Sequence, residues 1–113
     1  MSVQKYLLVF RHDASAAEMP SPSEMQTILA AWMAWRDQFQ SETVNMGDGL
    51  KPNGTVVRPT STTDGPYIEA KEVIGGFSFI ETESLERAVE ISKACPALMM
   101  PGASVEIREQ VGY

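Results

Sequence analysis

The chain has 113 residues, 43% of them apolar and 21% charged, which suits one globular domain spanning residues 1–113 with a core of its own. Fifteen acids against nine bases leave a formal net charge of −6, and no basic run reverses it locally, so no nucleic-acid partner is expected. A single cysteine and a single histidine rule out an intrachain disulfide and a zinc site of the Cys/His type, and no apolar run approaches the roughly 20 residues of a membrane span. With only a short apolar run in "MSVQKYLLVF" and no signal-peptide pattern, the expectation is a cytoplasmic protein, with no membrane, metal or cofactor involved.

Residues 5–11, "KYLLVFR", form a continuous apolar block of aromatic and branched side chains, which predicts a strand buried on both faces. "HDASAAEMP" (12–20) breaks the pattern as a loop. "SPSE" then gives a helix start: Ser21 as N-cap, Pro22 at the first helical position and Glu24 completing a capping box. Met25, Ile28, Trp32, Trp35 and Phe39 follow at spacings of 3 and 4, flanked by Leu29 and Met33. They predict one core-facing stripe on a helix running to about Ser41.

"TVNMGDGL" and "GTVVRPT" are short strand candidates separated by the turn-forming "KPNG". "VIGGFSFIE" (73–81) predicts a longer strand with Phe77 and Phe79 on one face. Gly75 and Gly76 inside it point to a bulge or a close backbone approach. Ser84 caps a second helix with Leu85, Ala88, Val89, Ser92 and Cys95 on one side, and Pro96 ends it. In that position Cys95 reads as a small core residue. "ASVEIREQV" (103–111) closes the chain as a strand with Val105 and Ile107 facing one way and Glu106 and Arg108 the other.

This order implies an α+β, ferredoxin-like antiparallel sheet with two helices on one face. Helices cover one face only, whereas the strands look apolar on both. The expected cover for the second face is another copy of the chain, giving a homodimer with its sheets face to face.

"DGPYIEAKEVIGGFSFIE" (64–81) is similar to the signature of the DGPF family of YciI-related proteins. That signature runs Asp-Gly-Pro-Phe, then an acidic and Lys-Glu segment, then Gly-Gly-Phe. Here it is Asp64, Gly65, Pro66 and Tyr67, then Glu69, Lys71 and Glu72, then Gly75, Gly76 and Phe77. "GDGLKP", "SLERAVEISKACP" and "VEIRE" extend the resemblance over nearly the whole chain. It implies a dimeric α/β barrel, and for some relatives lyase or dehydrochlorinase-like chemistry on a His–Asp pair. For some DGPF proteins it implies an association with alternative sigma factors. Two departures stand out: Tyr67 replaces phenylalanine, and the 21–41 helix contains no histidine, so the only imidazole is His12.

The candidate site is therefore a cleft near residues 63–72. Asp64 and His12 are its candidate proton-transfer pair, because an unperturbed imidazole titrates near about 6.5 and can shuttle protons beside a carboxylate. Arg11, Tyr67, Lys71, Glu72 and Arg108 are its candidate binding residues, suited to a small anionic or aromatic acid. Against this stands a structural reading in which Asp64 serves its own turn, the acids and lysine form a solvated edge, and His12 is a half-exposed strand end. Three functions follow: an acid–base enzyme, a non-catalytic ligand-binding module, or a regulatory interaction protein linked to transcription.

Overall fold

The structure, a computed structural model, describes residues 3–14, 21–65 and 72–112, with the side chains of 63–65 excepted. Its elements in chain order are β1 (Gln4–Asp13), α1 (Pro22–Gln38), β2 (Thr43–Gly49), β3 (Gly54–Val57), β4 (Thr62–Gly65), β5 (Glu72–Thr82), α2 (Leu85–Lys93), a 3-10 turn (Pro96–Met99) and β6 (Ser104–Glu109). Four strands form one antiparallel sheet in the order β2-β5-β1-β6, while β3 and β4 pair with each other as a separate two-stranded sheet. The sheet and its two helices are the α+β, ferredoxin-like architecture that the strand and helix periods predict.

Alternation along β1 and β5 sorts their side chains onto two faces. Tyr6, Leu8 and Phe10 stand opposite Ile80, Ser78 and Gly76 and point to the helices; Leu7 and Val9 stand opposite Phe79 and Phe77 and point away. On the helix side the strand residues join Trp35, Phe39, Ala88, Ile91 and Cys95 in one buried cluster. Leu8, Ile80 and Ile91 are fully enclosed there, each burial contributing about 1.5–3 kcal/mol. The opposite face carries Leu7, Val9, Phe77 and Phe79 half-buried, with the two phenylalanine rings in edge contact at 5.9 Å.

Both helices begin at the serines that the sequence marks. The Ser84 hydroxyl accepts the Arg87 backbone N–H, and the Ser21 hydroxyl accepts that of Glu24. The Glu24 carboxylate does not complete the box in the expected way: it accepts the Ser21 hydroxyl proton at 2.9 Å. On α2 the buried face is Ala88, Ile91 and Ser92, and Leu85 is exposed, so the helix is rotated from the expected stripe.

The larger correction concerns α1. Only its C-terminal half meets the sheet: Trp35 is 2% exposed and donates its indole N–H to the Ile91 carbonyl at 2.9 Å, and Phe39 follows it into the core. Met25, Leu29 and Met33, expected on the core-facing stripe, are exposed. The bulky Trp32 and Trp35 hold the helix off the strands, and its N-terminal half stands clear. That separation opens a cleft.

Candidate functional site

The cleft has a volume of about 1190 Å³ and lies between the N-terminal half of α1, the ends of β1, β2 and β5, and the 3-10 turn. Phe10, Trp32 and Met46 line it from the core side, with the Phe10 and Trp32 rings 5.5 Å apart and tilted by 51°. Met99, 63% exposed, and Met100 close the side formed by the 3-10 turn. Sequence periodicity assigned Trp32 to plain core packing; in the structure it is half-buried and is one wall of the cleft.

The double glycine explains how a histidine reaches this space. The β1–β5 register shifts between Phe10 and Arg11, with Gly76 opposite Phe10 and Ile74 opposite Arg11, so Gly75 is the extra residue of a β-bulge. The His12 ring lies against Gly75, where a Cβ would come within 2.7 Å of the ring Cδ2 and 2.8 Å of Nε2. At Gly76 a Cβ would sit 2.9 Å from the Asp48 carbonyl oxygen. The first glycine makes room for the imidazole, and the second admits the backbone of β2.

His12 Nδ1 is 2.9 Å from the Asp13 backbone carbonyl. A carbonyl oxygen only accepts, so Nδ1 carries the proton and donates it there, and in the neutral ring Nε2 then holds the lone pair. Among the described residues, the Asp13 carboxylate does not pair with this ring. It lies against Gly102, whose φ of +68° and lack of a side chain leave room for it, and the Asp13 N–H donates to the Pro101 carbonyl at 3.2 Å.

The remaining candidate residues separate. The Arg11 backbone borders the cleft, but its guanidinium reaches Glu106 at 3.3 Å on the sheet face opposite the helices, where Arg108 meets the same carboxylate at 3.3 Å. Chiefly through the Arg108 hydrogen bond, and then through Arg11, this carboxyl is held below the usual glutamate range. Arg108 thus stands on the open face, away from the cleft. Glu72 is exposed at the start of β5, opposite Asp13. Asp64 is placed through its backbone, in β4 opposite Thr55, in the sheet that does not contain His12. Tyr67 and Lys71, with the rest of 66–71, lie outside the described residues.

Around the cleft, the charged side chains among the described residues are Asp13, Glu24 and Asp48, with His12 and the tethered Arg11. Asp48 accepts the Gly49 N–H at 2.8 Å, so it also shapes the end of β2. Among the described residues no three His, Cys, Asp or Glu side chains gather as a metal site would require, and no helix is long and apolar enough to cross a membrane. Cys95 is buried beside the 3-10 turn, and burial pushes its thiol up to about 11, so it stays protonated and unreactive at neutral pH.

No curated protein matches the chain. The family model of the YCII-related domain matches residues 5–110, which takes in every strand and helix described above except Gln4, the first residue of β1. The chain belongs to the YCII-related domain family.

Proposed function

We propose that the cleft is a small-molecule site in which His12 Nε2 accepts a proton from the bound ligand. The observation that carries this reading is the hydrogen bond from His12 Nδ1 to a backbone carbonyl, which fixes the proton on that nitrogen in the neutral ring and leaves Nε2 as the basic atom of a residue that lines the cleft. Removal of a proton from carbon, with departure of a leaving group that takes its bonding electron pair, is an elimination. Lyase or dehydrochlorinase-like chemistry is of this kind, and return of the proton to a different carbon gives an isomerase.

The aromatic and thioether walls support a ligand with a flat apolar body. Among the described residues the charge near the cleft is mostly acidic, which favours a neutral ligand with a weakly acidic C–H or O–H. An aromatic carboxylate requires Lys71 to meet it. Asp64 is the proposed second proton-handling group, with Tyr67 and Glu72 as binding residues. The uncovered apolar face of the sheet supports a homodimer, sheets face to face, as the assembled form. A buried free thiol is consistent with a cytoplasmic setting.

The test is deuterium exchange from heavy water into a panel of aryl ketones, phenols and aryl acids, followed by mass. The expected result is exchange into at least one compound, reduced by about 10²-fold or more in His12→Asn, a change that keeps a side-chain N–H donor for the Asp13 carbonyl but removes the base. Binding of these probes at the cleft with no exchange, and no difference between the two proteins, would move the assignment to a non-catalytic binding module.

A further inference from the structure

We infer that β6 is a pairing edge: two copies of the chain join their β6 strands antiparallel about a two-fold axis at Ile107, so that one sheet continues through both. This contact is separate from the face-to-face one proposed above. It rests on the strand's own backbone groups and charges.

The ladder fixes which backbone groups are left over. The Gln110 N–H donates to the Lys5 carbonyl at 2.8 Å, continuing the register that sets Tyr6 opposite Glu109. Hydrogen-bonded and non-hydrogen-bonded pairs alternate along antiparallel strands. Arg108, Glu106 and Ser104 therefore turn their N–H and C=O groups to β1, whereas Val105, Ile107 and Glu109 turn theirs outward. β6 ends the strand order, and no described strand pairs with its outer side.

The two edges of the sheet are built differently. On β2 the register shifts between Thr43 and Asn45 and again between Asn45 and Asp48, and Gly47 has a φ of +69°. Such irregularity turns an edge away from other strands. β6 keeps one unbroken register with β1 from Ser104 to Glu109 and contains neither proline nor glycine. A regular edge of this kind is a template for another strand, unless its charges repel the newcomer.

Those charges select the partner. Glu106 and Arg108 stand on the open face, 3.3 Å apart, and the Arg108 side chain is 72% exposed. A strand added at this edge needs a base opposite Glu106, an acid opposite Arg108 and an apolar residue opposite Ile107. Read in the reverse direction, β6 is itself that strand. With Ile107 opposite Ile107 of the second copy, Glu106 faces the second copy's Arg108, and Arg108 its Glu106. Both are non-hydrogen-bonded pairs, in which side chains come closest. Val105 and Glu109 exchange their outward groups in the same register, so about six backbone hydrogen bonds close the contact. Centring the axis on Glu106, Arg108 or Glu109 sets like charges face to face. Centring it on Val105 leaves Arg108 beyond the end of the other strand. The contact is isologous, each half made by the same rotation, and its axis is perpendicular to the sheet. The open face stays available to the face-to-face contact.

The test is amide hydrogen exchange on the ¹⁵N chain, with sedimentation velocity reporting assembly size. The expected result is slow exchange at Val105, Ile107 and Glu109 as well as at Glu106 and Arg108. Arg108→Glu sets acid against acid at an exposed position. It should weaken association at least about tenfold and release the three outward amides, with the Glu106 amide still slow. Arg108→Lys keeps the charge and should leave the outward amides slow. Nitroxides on Ser104→Cys, exposed while Cys95 is buried, should lie about 20 Å apart across the axis in electron double resonance. Fast exchange at Val105, Ile107 and Glu109 in the parent would overturn the proposal. Protection that survives Arg108→Glu, or labelled chains without that distance, would overturn it equally.

Discussion

At the scale of single residues, the structure turns on the contact between an imidazole and a glycine. Gly75→Ala brings a methyl to within 2.7 Å of the His12 ring, which must swing away, whereas Gly76→Ala drives one to 2.9 Å from a backbone oxygen that cannot. Gly76→Ala is therefore expected to cost about 1–3 kcal/mol of stability whatever occupies position 12. Gly75→Ala should be costly only when His12 is present, so the Gly75→Ala/His12→Ala double mutant is expected to be more stable than the sum of its parts. Denaturant unfolding of the four proteins in the cycle measures that coupling, and strict additivity would show that the ring does not rest on Gly75. The glycines were legible from "VIGGF", since glycine in a strand asks for a bulge or a close approach. The side chain that needs the space was not, because it comes from a strand more than sixty residues away.

At the scale of elements, a bidentate ion pair ties three segments together. Glu42, between α1 and β2, accepts from Arg87 Nε and Nη2 of α2 at 2.8 Å each and from the Thr82 hydroxyl of β5 at 2.9 Å. The Arg87 hydrogen bonds lower the Glu42 carboxyl below its ordinary value against an opposing effect of burial. A carboxyl lowered on folding gives stability that is present above its unfolded value of about 4.3 and is lost as pH falls through the folded one. Glu42→Gln should thus have a lower Tm than the parent at pH 7, with the gap closing as both are acidified below about pH 4. Melting curves across that range check it, and a gap independent of pH would contradict it. Periodicity identified both helices and their serine caps. It could not show that Trp32 and Trp35 would lift the front of α1 off the sheet, because a stripe at spacings of 3 and 4 reads the same whether or not a surface lies beneath each residue. The cleft is a product of packing and was invisible for that reason, while Arg11 and Arg108 fell on the open face as strand alternation requires.

At the scale of the molecule, one side of the sheet is covered by two helices and the other presents Leu7, Val9, Phe77 and Phe79, so the proposed dimer covers the face opposite the cleft. The proposed chemistry depends on a single ring in a single state, with Nδ1 protonated against the Asp13 carbonyl and Nε2 bare. His12 is the only histidine in the chain, so the imidazole nitrogens of the tag-free protein give one unambiguous set of ¹⁵N resonances. The most direct measurement is a long-range ¹H–¹⁵N spectrum of that ring at a pH where it is neutral. The account predicts the tautomer protonated on Nδ1, with Nε2 at the shift of an unprotonated nitrogen. A spectrum with the proton on Nε2 would contradict it, because the nitrogen proposed to take the ligand's proton would then have no lone pair for it.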